Sequence, residues 1–151
     1  MRILRTIIFT LSFSSINAET CQWWFQRYGW KNFTLSKVEQ CLKNGSPVIP
    51  DVDGGESPLH IAAEKGNLDM VRYLAGDAHA DVNQGRIDNG CTPLHIAAQK
   101  GNLDVVRYLA GEAHANVNKA TKDNGYTPLN LSPLHGTLEM LSCLSSEARA
   151  N

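Results

Sequence analysis

The chain has 151 residues, with 14 Lys and Arg against 15 Asp and Glu and a formal net charge of -1 at neutral pH. This length points to one domain, and an apolar content of 42% is enough to bury a core, which argues against disorder. The balanced charge excludes both the basic excess that would point to nucleic acid and the acidic tail that would suggest a cationic partner.

Residues 1–18 differ from the rest. Arg2 and Arg5 precede an apolar run from Ile7 to Phe13, too short to span a bilayer, which takes about 20 residues. Ser14, Ser15 and Ala18 supply small residues before a cleavage point. The pattern predicts a secretory signal peptide over 1–18, cut after Ala18, with an N-terminal element of the fold as the alternative. No later stretch is apolar enough to span a membrane, so no membrane span is expected in the mature chain.

Beyond the leader, one period organises the sequence. Ser57-Pro58-Leu59-His60-Ile61-Ala62-Ala63 returns as Thr92-Pro93-Leu94-His95-Ile96-Ala97-Ala98 and, degraded, as Thr127-Pro128-Leu129-Asn130-Leu131-Ser132-Pro133. The spacing of 35 continues from Lys65-Gly66-Asn67-Leu68-Asp69 to Lys100-Gly101-Asn102-Leu103-Asp104, and from Val71-Arg72-Tyr73-Leu74 to Val106-Arg107-Tyr108-Leu109. An earlier stretch, Thr34 to Leu42, aligns with Asn67 to Ala75.

Each unit resembles an ankyrin repeat, about 33 residues long with a Thr-Pro-Leu-His-x-Ala signature. The resemblance implies an all-α solenoid of helix-turn-helix units joined by hairpin-like loops. It divides the chain into an aromatic N-terminal cap (19–33), a half unit (34–52), units at about 53–87 and 88–122, and a degenerate last unit (123–151). The two extra residues per unit fall near Ala75-Gly76-Asp77 and Gly85-Arg86-Ile87.

The local chemistry agrees with that fold. Pro58, Pro93 and Pro128 suit the first helical position, and Ser57, Thr92 and Thr127 before them are expected to cap the first turn. Gly66 and Gly101 should end the first helix, and Asn67 and Asn102 should start the second. Leu68, Val71 and Leu74, with Leu103, Val106 and Leu109, form that helix's apolar stripe. Pro133 should shorten or kink the last first-helix. The aromatics of 19–33, Trp23, Trp24, Phe25, Tyr28, Trp30 and Phe33, are expected to cover the open end of the stack, an exposed partner site being the alternative.

The recurring histidines invite a metal or acid–base reading, but no Cys or carboxylate cluster completes a ligand set. The resemblance implies instead that His60 and His95 bridge backbone and hydroxyl groups within the stack. His79 and His114 fall where related units carry glycine and are expected in a left-handed turn. No P-loop, nucleophile elbow, dinucleotide fingerprint or H-E-x-x-H occurs. No cofactor and no enzymatic activity are expected.

Four cysteines, Cys21, Cys41, Cys91 and Cys143, allow three complete pairings. In the implied fold Cys41 and Cys143 are two units apart, with Cys91 at a loop between them. Cys21–Cys41 is then the one reachable disulfide. Similarity to bacterial exported ankyrin proteins, whose aromatic, Cys-containing start precedes a half unit ending Cys-Leu, implies the same pair; four thiols are the alternative. Asn32-Phe33-Thr34 and Asn130-Leu131-Ser132 match the glycosylation pattern, the second inside a predicted helix.

The resemblance implies a protein partner bound on a concave face of loop tips and first helices. The matching positions are Asp53, Glu56, Glu64 and Lys65; then Asp88, Asn89, Gln99 and Lys100; then Asp123, Asn124, Tyr126 and His135. Tyr126 is the expected anchor, because aromatics dominate hot spots. The reading is a monomeric, periplasmic or secreted binding module. An effector acting on a host protein is the alternative, and a histidine-based metal protein or enzyme is a more distant one.

Overall fold

The computed structural model describes residues 55–132 and 138–150, together with Ser36, Gln40, Cys41 and Lys43. The chain divides into two compact units, Met1–Pro47 and Val48–Asn151. In the first, Ser36, Gln40, Cys41 and Lys43 are helical and Cys41 is buried.

The second unit is all-α among its described residues. Its elements are α1 (Pro58–Lys65), α2 (Leu68–Arg72), α3 (Pro93–Lys100), α4 (Leu103–Arg107), α5 (Pro128–Leu131) and α6 (Leu138–Ala150). Wide π-type turns at Tyr73–Asp77 and Tyr108–Glu112 continue α2 and α4. Helices α1, α3 and α5 pack in succession, as do α2, α4 and α6.

Proline opens α1, α3 and α5 as expected. Glycine closes α1 and α3 in the left-handed conformation, with φ of 67° at Gly66 and 75° at Gly101. Asn67 then caps α2 by accepting a 3.1 Å hydrogen bond from Met70 N–H. Asn102 stands at the start of α4 as expected, but its side chain does not cap that helix. Its side-chain amide turns back to the preceding unit and donates to the carbonyls of Ala63 at 2.7 Å and Glu64 at 3.1 Å. It thus adds a donor at the end of α1, where the Ala63 carbonyl also accepts Gly66 N–H at 3.3 Å.

The 35-residue period is accommodated where the second helix ends. Ala78 N–H reaches back to the carbonyl of Tyr73, and Ala80 N–H to that of Leu74. Ala113 and Ala115 repeat the pattern on Tyr108 and Leu109. These turns are wider than α-helical ones, which is how an inserted residue is absorbed without breaking a helix. His79 and His114 follow with φ of 52° and 53°, as expected of the turn.

The core repeats with the sequence. Leu59 and Leu94, Ala63 and Ala98, Val71 and Val106, and Leu74 and Leu109 are all fully buried or nearly so. Each leucine contributes roughly 1.5–3 kcal/mol of burial. In the last unit Met140 and Leu144 are buried, but Leu129 and Leu141 are 37% and 40% exposed, whereas their counterparts Leu94 and Val106 are both at 0%. Helix α5 has 4 residues against 8 in α3. Ser132 is extended at ψ 138°, the conformation imposed on a residue that precedes proline.

Candidate functional site

The face where a partner was expected is built on two hairpin fingers, 86–91 and 121–126. In the first, Arg86 N–H donates to the Cys91 carbonyl at 2.9 Å and Gly90 N–H to the Arg86 carbonyl at 3.0 Å. In the second, Thr121 N–H donates to the Tyr126 carbonyl at 2.9 Å and Gly125 N–H to the Thr121 carbonyl at 3.2 Å. Lys122 N–H donates to the Asn89 carbonyl at 2.8 Å, joining one finger to the next.

The signature histidines hold the bases of these fingers. His60 Nε2 lies 3.0 Å from the Cys91 carbonyl and His95 Nε2 lies 3.0 Å from the Tyr126 carbonyl. A carbonyl only accepts, so Nε2 carries the proton and Nδ1 is left as an acceptor. At His60 that acceptor takes Ser57 N–H at 3.1 Å and the Ser57 hydroxyl at 2.7 Å. At His95 it takes Thr92 N–H at 3.2 Å and the Thr92 hydroxyl at 2.7 Å. Ser57 and Thr92, like Thr127 later in the chain, close capping boxes over the first turns as expected. Each of the two hydroxyls also meets the imidazole, and the Thr92 oxygen accepts His95 N–H at 3.4 Å. In the last unit Asn130 Oδ1 imitates Nδ1, accepting Thr127 N–H at 3.0 Å and the Thr127 hydroxyl at 2.9 Å.

Both imidazoles are buried. Burial lowers the His60 pKa to about 4, with the nearby Arg86 charge acting the same way against the Cys91 carbonyl hydrogen bond. Burial lowers His95 as well, opposed by the Tyr126 carbonyl. Protonation would put an N–H against two donors at once. These are structural groups, and among the described residues no group of three or more His, Cys, Asp and Glu is placed to hold a metal ion. Burial, then the Asp123 carboxylate, raises the Cys91 thiol pKa, the opposite of what an activated nucleophile needs.

The expected partner-binding positions fall into two kinds. Glu56 and Asp88 are both tied to Arg86, whose guanidinium lies 2.7 Å from Glu56 Oε1 and 3.1 Å from Asp88 Oδ2. Glu64 and Lys100 pair with each other at 3.1 Å, an exposed contact that adds about 0–1 kcal/mol. Asn89 Oδ1 accepts Cys91 N–H at 2.9 Å and so shapes its own finger. Lys65, Gln99, Asp123, Asn124 and Tyr126 are exposed. The Thr121 hydroxyl and Asn124 N–H hold the Asp123 carboxyl below its usual pKa. Asp53 and His135 lie outside the described residues.

Three participants were not anticipated. Arg86 organises the first finger, Ile87 is 72% exposed at its tip, and Asn102 links consecutive units. The repeat itself carries a signal for the first two. Arg86 and Ile87 align with Thr121 and Lys122, inside the stretch 84–87 where the unit differs from its successor at 119–122.

The family described as "Ankyrin repeats (3 copies)" matches residues 4–86, 30–121 and 78–151. The chain belongs to the ankyrin-repeat family. No curated protein matches the chain in sequence. Ankyrin repeats are generally protein–protein interaction modules and are typically non-catalytic. Among the described residues no helix is long and apolar enough to cross a membrane.

The buried histidines predict a pH dependence. Their folded pKa values lie below the unfolded value of about 6.5, so the unfolded chain binds more protons in between. The contribution of each is fully present above about pH 6.5 and is lost as pH falls below it; for His60 the loss runs down to about pH 4. For His60 the full loss is on the order of 3 kcal/mol. Urea unfolding at about pH 7 and about pH 5 measures it. The His60→Gln, His95→Gln double variant should be less stable at the higher pH but show a shallower decline. An equal decline in both proteins would assign the effect to other groups.

Proposed function

We propose that the chain is an exported, non-catalytic binding protein that grips a protein partner with its fingers and the exposed side of its first helices. The carrying observation is Tyr126. Its ring is 47% exposed while its backbone is held on both sides. Its N–H donates to Thr121 Oγ1 at 3.0 Å and its carbonyl accepts from His95 and Thr121. A large side chain on an immobilised backbone offers contact area at little ordering cost. Around it the units differ, Ile87 against Lys122 and Glu64 against Gln99, whereas the core positions beneath repeat. A constant scaffold with a varied surface is the arrangement expected when the surface sets specificity.

Export rests on residues 1–18, and with it goes the proposed Cys21–Cys41 disulfide. Cys91 and Cys143 are thiols, and Cys21 lies outside the described residues. Closing a loop of about 20 residues adds on the order of 3 kcal/mol in the chain-entropy model.

Tyr126→Ala combined with Lys100→Glu should weaken binding to a partner captured from the native compartment by about 1–2 kcal/mol, with the melting curve close to wild type. Unchanged affinity would move the site elsewhere, the aromatic segment around Trp23 and Trp24 being next. Protein isolated from its native host should begin at Glu19 and yield a peptide linking Cys21 to Cys41 when mapped without reductant. Soluble protein that retains Met1, or free thiols at both positions, would contradict the export reading.

A further inference from the structure

We propose that Asn124 is a site of spontaneous deamidation, at which the last finger acquires a negative charge beside Tyr126 while the matching asparagine of the preceding finger, Asn89, is protected. The reaction needs no enzyme. The Gly125 backbone nitrogen, having given its proton to hydroxide, attacks Asn124 Cγ. A C–N bond forms, the Cγ–Nδ2 bond breaks, and Nδ2 leaves as ammonia with a proton from water. The five-membered succinimide is then opened by water at either carbonyl, giving aspartate or isoaspartate. One water is consumed, one ammonia is released, and no electrons change hands.

A glycine after the asparagine favours this closure because no Cβ obstructs it. Three Asn–Gly pairs occur, at 44–45, 89–90 and 124–125. The first lies outside the described residues. The dipeptide alone does not separate the other two, but their surroundings do.

Asn89 is held through its side-chain oxygen, its carbonyl and the nitrogen of Gly90. Its side-chain oxygen accepts Cys91 N–H at 2.9 Å and its carbonyl accepts Lys122 N–H at 2.8 Å. Gly90 is buried, and its N–H donates to the Arg86 carbonyl at 3.0 Å. A Cβ built on Gly90 would stand 2.9 Å from the Lys122 side chain and 3.3 Å from its backbone nitrogen, so the next finger packs directly on it. Arg86 in turn is fixed by Glu56 and Asp88. Opening this pair means disrupting the contact between two units.

At Asn124 all but one of those restraints are missing. Asn124 and Gly125 are both exposed. Where Asn89 receives Cys91 N–H, the equivalent Tyr126 N–H goes to Thr121 Oγ1 instead. The Asn124 side chain is thereby released from the turn, and it makes no hydrogen bond to a described residue. Among the described residues nothing comes within 4 Å of a Cβ built on Gly125. Only the 3.2 Å bond from Gly125 N–H to the Thr121 carbonyl restrains the attacking nitrogen. Cyclisation there needs a local opening rather than a separation of units, and local openings cost far less than global ones.

The product matters at this position. Aspartate would set a second carboxylate beside Asp123, and isoaspartate would lengthen the backbone by one carbon next to Tyr126. This holds whether or not that face binds the proposed partner.

The test uses the full chain, incubated folded at 37 °C and mildly alkaline pH, then digested and read by mass spectrometry. Trypsin cuts after Arg86 and Lys122, so the two asparagines fall in different peptides. Asn124 should convert roughly tenfold or more faster than Asn89 in the folded protein, and the difference should disappear in concentrated urea. Asn124→Gln should abolish the acidic product in its peptide and leave thermal unfolding unchanged. Conversion of Asn89 at the rate of Asn124 in the folded chain, or no conversion at Asn124 there, would overturn the proposal.

Discussion

Each described unit is tied to the next by a buried imidazole whose two nitrogens serve different units. Nδ1 of His60 accepts from Ser57 at the start of its own helix, and Nε2–H donates to the Cys91 carbonyl at the base of the following finger. His95 does the same between Thr92 and Tyr126. A short capping side chain could satisfy one helix end but could not reach across 31 residues of sequence to a neighbour. Removing the ring takes one of two donors from a part-buried carbonyl and the imidazole acceptor from a buried hydroxyl, the latter at about 1–3 kcal/mol. The alanines beneath, Ala62, Ala63, Ala97 and Ala98, keep the helices close enough for the bridge to close.

The surface depends on that bridge. Two carbonyls, those of Cys91 and Tyr126, each receive one hydrogen bond from their own finger and one from the preceding unit's histidine. The finger bases are thereby fixed, and the units differ at Ile87 against Lys122 above them without a change in the stack. The bridge ends where the sequence changes. Asn130 reproduces the Nδ1 contacts to Thr127, but its side chain is too short for the outer one. The exposed Leu129 and Leu141 mark the same boundary in apolar terms.

What was legible in the sequence was local. Proline at the first helical turn, glycine at the helix end and histidine in the left-handed turn each answer a conformational demand within a few residues of the chain. The proline and glycine positions follow from residue type, and the histidine turns from the repeat's own alignment as well. Apart from the histidine bridge, which the family resemblance implied, the contacts that escaped are those between units. Asn102 stands where Asn67 caps its own helix, yet it turns to the carbonyls of Ala63 and Glu64, a choice made by the neighbour and not by the neighbouring sequence. Glu56 and Asp88 looked like free acidic tips because nothing local shows that Arg86 reaches both. The wide turn after Tyr73 was visible as a surplus near Ala75-Gly76-Asp77, though not in the form it takes.

The most direct test of the bridge is native-state amide exchange in His95→Ala, read residue by residue. Thr121, Gly125 and Tyr126 N–H should lose protection selectively, because the carbonyl that anchors their finger has lost its inter-unit donor. Arg86 and Gly90 N–H, anchored through His60, should retain protection close to wild type once the overall change in stability is accounted for. Equal loss in both fingers, or unchanged protection in 121–126, would contradict an account in which each histidine holds the finger that follows it.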